Sequence, residues 1–139
     1  MVVLDDFRSA HARLEGELSV ADAAVGDAER LITTLKNMRR AVLTHFAQKD
    51  AFYVALGAQC AAANDVQAAQ LTRIFEANMK MQSAAVVRFF EGLEGASHDT
   101  VASSYRTIST IIRQRFATEE KAVFPLFKRT APRLEEARP

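Results

Sequence analysis

The sequence contains two similar stretches, His45-Phe46-Ala47-Gln48-Lys49-Asp50 and Arg115-Phe116-Ala117-Thr118-Glu119-Glu120. In each stretch the first and fifth residues are about one helical turn apart and continue an apolar series with three- and four-residue steps. Each stretch is followed by an aromatic run, Phe52-Tyr53-Val54-Ala55-Leu56 or Val123-Phe124-Pro125-Leu126-Phe127. The sequence therefore places charged and imidazole side chains on helix faces that are otherwise apolar.

The length and composition are those of an ordinary globular domain. The chain has 139 residues, of which 49% are hydrophobic and 25% are charged, so it is long enough to bury one core. The net charge of +1 predicts no general attraction to nucleic acid or to a membrane surface. The single cysteine, Cys60, excludes an intrachain disulfide and a multi-cysteine zinc site. The N-terminal residues show no secretory signal and no apolar stretch could span a bilayer, so we predict a cytoplasmic protein.

The apolar spacing predicts four helices and no strand. Their predicted bounds are about residues 5–24, 28–56, 65–93 and, for the last helix, from Ser97 or Asp99 to beyond Leu126. Asp27 is expected to cap the second helix and Gly57 to end it. Pro125, in the last turn of the fourth helix, is a candidate position for a kink.

Short connections between long amphipathic helices favour antiparallel neighbours. We therefore predict an all-α fold, an up-down-up-down antiparallel four-helix bundle. The whole chain, residues 1–139, is expected to form a single domain, with a core from about residue 4 to residue 129. The charged residues 130–139 are expected to form a loose tail.

Every predicted helix carries polar residues on its inward stripe: His11 on the first, His45 and Lys49 on the second, Asn78 and Gln82 on the third, and Arg115 and Glu119 on the fourth. The pairs are four residues apart, so each pair lies on one helix face. An unpaired buried charge costs several kcal/mol, so these groups need partners. We predict a buried polar layer in which Lys49 or Arg115 pairs with Glu119.

These features resemble those of the hemerythrin-like family, the HHE cation-binding domains. Members of that family are four-helix bundles that hold non-haem iron, often as a di-iron centre. Their pattern is a histidine on the first helix, His-x-x-x-Glu on the second, histidines on the third, and His-x-x-x-Glu or an acid one residue later on the fourth. The runs Ala51–Leu56 and Lys121–Leu126 also resemble the segments that follow these motifs. The resemblance extends from about Leu4 to Lys128.

The resemblance implies a partly rewritten ligand set. His11, His45 and Glu119, with Glu120 as the one-later alternative, match family ligands and would be the metal ligands if a metal is bound. Lys49 stands in place of the bridging glutamate, and Arg115 in place of the fourth-helix histidine. Asn78 and Gln82 have the spacing of the third-helix histidines. We predict that the layer replacing the metal consists of Lys49, Asn78, Gln82, Arg115 and Glu119.

On this basis we predict a hemerythrin-like protein that has lost its di-iron site, holds no cofactor, and acts as a regulatory, interaction or small-ligand-binding module of bacterial-type signalling or stress response. The alternative is a non-haem iron protein that binds or senses oxygen or nitric oxide through His11, His45 and Glu119. A third hypothesis is an anion site, since Lys49, Arg115 and two histidines carry more positive charge than Glu119 balances.

The sequence contains no recognisable catalytic constellation, so we do not expect an enzyme. The expected partner is an unidentified protein or a small anionic ligand, and we expect neither nucleic acid nor a membrane. A homodimer is a further hypothesis, because Tyr53 and Phe90 flank the inward stripes and would supply an apolar contact patch.

Overall fold

The computed structural model describes residues 2–128, with side chains from residue 4 onwards, and that part of the chain contains helices and no strand. The four α-helices are α1 (Val2–Ala23), α2 (Ala28–Ala62), α3 (Val66–Glu91) and α4 (His98–Thr118). A π-helix (Glu119–Val123) continues α4, and residues 124–128 are helical again. The predicted all-α fold is confirmed. The predicted tail, residues 130–139, lies outside the described residues.

Contacts between helices show that α1 and α4 run antiparallel. Near the start of α1, Arg8 Nε lies 3.1 Å from Glu120 Oε2 beyond the end of α4. Near the end of α1, Asp22 Oδ2 lies 2.7 Å from Arg113 NH2 within α4. None of the helices in the described part of the chain is long and apolar enough to cross a membrane.

The predicted cap of the second helix, Asp27, is confirmed, and of the two predicted starts of the fourth helix, Ser97 and Asp99, the structure has Ser97 as the cap. The Asp27 side chain accepts a hydrogen bond from the backbone N–H of Arg30 at the start of α2. The Ser97 side chain does the same for the N–H of Thr100 at the start of α4. Each cap satisfies one of the backbone donors that a helix start leaves unpaired.

The prediction that Gly57 ends the second helix was wrong, because α2 continues to Ala62. Gly57 is buried in the interior of α2, and a Cβ atom there would lie 3.5 Å from Thr72 Cγ2 of α3, an ordinary van der Waals distance. The helix ends at Ala62, two residues before Asn64, whose φ of 60° is the left-handed conformation that terminates helices. The N–H of Asp65 then donates to the carbonyl of Cys60 at 3.0 Å.

Pro125 is preceded by a wide helical turn. The N–H of Phe124 donates to the carbonyl of Glu119, one residue further back than in an α-helix. Proline lacks an N–H and its ring clashes with the carbonyl four residues earlier, which strains a regular α-helix. The π-helix is a wider turn that precedes Pro125, and it begins at Glu119, whose carboxylate is buried.

The interior contains two apolar clusters with a polar layer between them. One cluster lies toward the α1–α2 connection and includes Leu14, Leu18, Leu35 and Val86. The other lies toward the α2–α3 connection and includes Leu4, Leu56, Met79 and Phe124. Tyr53 and Phe90 are 0% and 1% exposed, so the prediction that they supply a surface patch for a homodimer was wrong.

Candidate functional site

The centre of the polar layer is an ion pair between α2 and the start of the π-helix. Lys49 Nζ lies 2.5 Å from Glu119 Oε1, and both side chains are completely buried. The same ammonium nitrogen lies 3.1 Å from His11 Nε2 on α1. Lys49 therefore contacts two of the three residues that the family resemblance marks as metal ligands.

The second oxygen of Glu119 is also occupied. Glu119 Oε2 accepts a hydrogen bond from the hydroxyl of Tyr53 and lies 3.5 Å from Arg115 Nε. Burial alone would raise the pKa of Glu119, but the hydrogen bond with His11 and the charges of Lys49 and Arg115 outweigh it and lower this pKa to about 2. The carboxylate is thus firmly ionised.

Arg115 connects the layer to α2 and α3. Its NH1 lies 2.7 Å from Ser83 Oγ, and its NH2 lies 3.0 Å from Asp50 Oδ1 at the edge of the bundle. Its guanidinium carbon lies 4.3 Å from the centre of the Phe46 ring. These contacts explain how a fully buried guanidinium is tolerated, since its donors and its charge are matched by acceptors and an aromatic face.

His11 links the buried network to the partly exposed Glu120 at the surface of the bundle. Its ring stacks on Phe116 at a centroid distance of 4.0 Å, and its Nδ1 lies 3.1 Å from Glu120 Oε1. Because a carboxylate only accepts hydrogen bonds, His11 Nδ1 donates to Glu120, whereas His11 Nε2 lies 3.1 Å from Lys49 Nζ and 3.3 Å from Glu119 Oε1. Glu120 is partly exposed and also holds Arg8.

Burial is the main influence on Lys49. It lowers the pKa of the ammonium to about 7, because the attraction of Glu119 only partly offsets the loss of solvent and Arg115 adds repulsion. Glu119 lies beside two cationic side chains, Lys49 and Arg115. Burial disfavours the protonated form of Lys49.

His45 lies beside this network without joining it. The side chain is 3% exposed, and its ring is perpendicular to that of His11 at a centroid distance of 5.0 Å. Burial and then the charge of Lys49 lower the pKa of His45 to about 3, so the imidazole is neutral. Its Nε2 is buried and has no hydrogen-bond partner among the described residues.

The predicted contribution of the third helix was wrong. Asn78 is exposed and therefore lies outside the buried layer, whereas Gln82 is partly buried and its buried Oε1 has no hydrogen-bond partner among the described residues. The interior positions are Met79 and Ser83: the carbonyl of Met79 and the hydroxyl of Ser83 both accept from Arg115. Apolar residues at three- and four-residue steps are compatible with two rotations of α3, one with Asn78 and Gln82 inward and one with Met79 and Ser83 inward. In the observed rotation the small Ser83 side chain leaves room for the guanidinium of Arg115.

Several partners in the network were not predicted from the sequence. The sequence indicates Tyr53 as part of an apolar contact patch, yet its hydroxyl donates a hydrogen bond to Glu119. Asp50 was not assigned a role, yet it pairs with Arg115. One signal was available, because Asp50 follows Lys49 just as Glu120 follows Glu119, and Glu120 was recognised as an inward-facing alternative.

The residues present do not fit a metal. Both oxygens of Glu119 accept hydrogen bonds from other side chains, and His11 Nε2 faces the Lys49 ammonium. Of the three matched ligands only His45 has an unengaged ring nitrogen. Within residues 2–128 no group of three or more histidine, cysteine and acidic side chains is arranged to hold a metal ion.

The charges of the network balance locally, although the side chain of Asp50 is 34% exposed. Lys49 and Arg115 contribute two positive charges, and Glu119 and Asp50 contribute two negative charges. The third hypothesis, an anion site, rested on positive charge in excess of Glu119, and Asp50 supplies the missing negative charge.

Comparison with known proteins identifies the family. The sequence model described as the hemerythrin HHE cation binding domain matches residues 2–127. No curated protein matches the chain, and no solved structure does. The match extends over nearly the whole chain and agrees with the four-helix bundle. The chain therefore belongs to the hemerythrin family of HHE cation-binding domains.

Proposed function

We propose that this protein is a metal-independent hemerythrin-like module, in which a buried ion-pair network takes the place of the iron centre. The observation that carries the proposal is the position of Lys49 Nζ, which contacts both His11 Nε2 and Glu119 Oε1. A cationic side chain thereby lies between two groups that a metal would need. The role that remains for the bundle is regulatory or ligand-binding, through its surface and the grooves between its helices.

Electrostatics support this proposal. A dication about 4 Å from a buried cation is repelled by roughly 8 kcal/mol at an effective dielectric constant of about 20. Lysine can relieve the repulsion by losing its proton, but arginine cannot. Arg115 is completely buried and points at Glu119, so a metal bound by this carboxylate would face a permanent positive charge.

We expect protein produced in iron-supplemented medium to contain far less than one iron per chain. The physical reason is the occupation of His11 and Glu119 by Lys49. The measurement is elemental analysis of the purified protein, together with its ultraviolet–visible spectrum. Near-stoichiometric iron with a ligand-to-metal band would overturn the proposal and establish the alternative, an iron protein that uses His11, His45 and Glu119.

Replacing the blocking groups should restore iron uptake. We expect the triple variant Lys49→Glu, Ser83→His, Arg115→His to bind iron when the unmodified chain does not, because it removes both cations and supplies a carboxylate and two imidazoles. Ser83 is the third-helix position because Asn78 faces solvent. The matched control carries Asn78→His in place of Ser83→His. Equal iron uptake by both triple variants would contradict the assigned rotation of α3.

A further inference from the structure

A groove between α1 and α2 has the features of a ligand site. Its volume is about 540 Å3, and its lining includes Asp6, Phe7, His45, Gln48 and Phe52. This volume lies within the range of small-molecule sites, which combine apolar walls with a few polar groups. The groove is separate from the ion pair of Lys49 and Glu119, but His45 borders both.

The walls of the groove are aromatic. The rings of Phe7 and Phe52 meet edge to face with a centroid distance of 5.4 Å. Phe52 is only partly buried, and it is held from behind by Phe127 at 5.0 Å. The groove therefore presents a supported aromatic surface that an apolar group can cover.

The polar groups are placed at the rim and in the buried part of the groove. Asp6 and Gln48 are exposed, and His45 is 3% exposed. Asp6 supplies the only charge among the lining residues, and that charge is negative. His45 Nε2 is a buried polar atom without a hydrogen-bond partner among the described residues, which is an unfavourable state for such an atom.

We propose that this groove binds a small organic ammonium ion, with the ammonium at Asp6 and Gln48 and an apolar body against Phe7 and Phe52 beside His45. The choice of a cation follows from the single carboxylate at the rim and from the aromatic rings, which attract cations as well as apolar groups. The inference rests on the proposed function in one respect, namely that His45 is not bound to a metal.

The test uses 2-phenylethylammonium chloride as the probe, titrated into the full chain labelled with 15N in its histidines. The chain has three histidines, and each should give its own signals. We expect saturable shifts of His45 at millimolar probe and none of His98, which lies at the other end of the bundle and contacts the carbonyl of Val25. 2-Phenylethanol, which has a similar body without the charge, should bind more weakly.

Two variants separate the groove from general charge effects. Asp6→Asn should weaken probe binding about three- to fivefold, the range of a partly solvated ion pair. Glu15→Gln removes the same charge from α1, but Glu15 lines a different groove, shared with His11 and Glu120, and this variant should bind as the unmodified chain does. Both positions are exposed, so neither change should prevent folding.

The ligand proposal is overturned if His45 shows no saturable shift. Equal weakening by the two variants or equal binding of 2-phenylethanol would also overturn it. Iron content is measured on the same sample. Iron-free protein that does not bind the probe refutes only the ligand site, whereas stoichiometric iron refutes the proposed function.

Discussion

Glu119→Ala should lower the free energy of unfolding by about 3–5 kcal/mol, the usual cost of breaking a buried ion pair from one side. The substitution leaves Lys49 and Arg115 in a dry interior without their shared carboxylate, and it removes the acceptor of the Tyr53 hydroxyl. Chemical denaturation followed by circular dichroism measures the change through the midpoint and the slope of the transition.

The adjacent acid provides the matched control. Glu120 is partly exposed and pairs with Arg8 and His11 at the edge of the bundle. Glu120→Ala should therefore cost no more than about 1 kcal/mol, as is usual for solvated ion pairs. If the two alanine variants lose the same stability, the carboxylate of Glu119 is not the centre of the buried network.

The stability of the protein should rise with pH from acid to about pH 10. The pKa of Lys49 is lowered from 10.5 to about 7, so between these values the unfolded chain binds a proton that the folded protein does not. Stability then increases by up to about 1.4 kcal/mol per pH unit. His45, with its pKa lowered from 6.5 to about 3, and Glu119, lowered from 4.5 to about 2, act in the same direction at lower pH.

The upper limit of this rise is set by Tyr53 and Tyr105. Burial and Glu119 raise the pKa of Tyr53 above its usual value of 10.0, and burial and the hydrogen bond to Asp22 do the same for the pKa of Tyr105. Above that value the unfolded chain loses these phenolic protons more readily, so stability falls. Denaturant titrations at a series of pH values measure the profile.

Lys49→Met isolates the contribution of the lysine. The variant keeps Arg115 and Tyr53 as partners of Glu119, and it removes the only buried ammonium among residues 4–128. The rise between pH 7 and pH 10 should disappear, whereas the dependence on pH below 7 should persist. An unchanged rise in the methionine variant would show that another group titrates in this interval.

The fold could be predicted because its determinants are local. Three- and four-residue spacing of apolar residues marks a helix regardless of what it packs against, and Asp27 and Ser97 satisfy backbone groups of their own helices. The prediction that α2 ends at Gly57 was wrong because the structure there depends on packing between helices and not on a local pattern. Gly57 is buried beside Thr72 of another helix, and a helix packed in this way continues past a glycine, which no local pattern indicates.

The candidate site was predictable only in part, for a related reason. Lys49, Arg115 and Glu119 lie near the middle of their stripes, where a small rotation of the helix does not expose them. Asn78 lies near the edge of an ambiguous stripe, and a rotation of about one residue brought Met79 inward instead. The pairing of Asp50 with Arg115 depends on the rotation of two helices, which spacing along one helix does not determine.

The buried network has a consequence for the assembly of the bundle. Two apolar helix surfaces can slide along each other by one turn, about 5.4 Å, because each apolar side chain then packs in the place of another. The contacts of Lys49 with His11 and Glu119 and of Arg115 with Ser83 do not survive such a slip, and a misaligned bundle would strand two cations. We infer that these five positions select a single alignment of the helices, and that an all-aliphatic interior of equal stability would refold into a mixture.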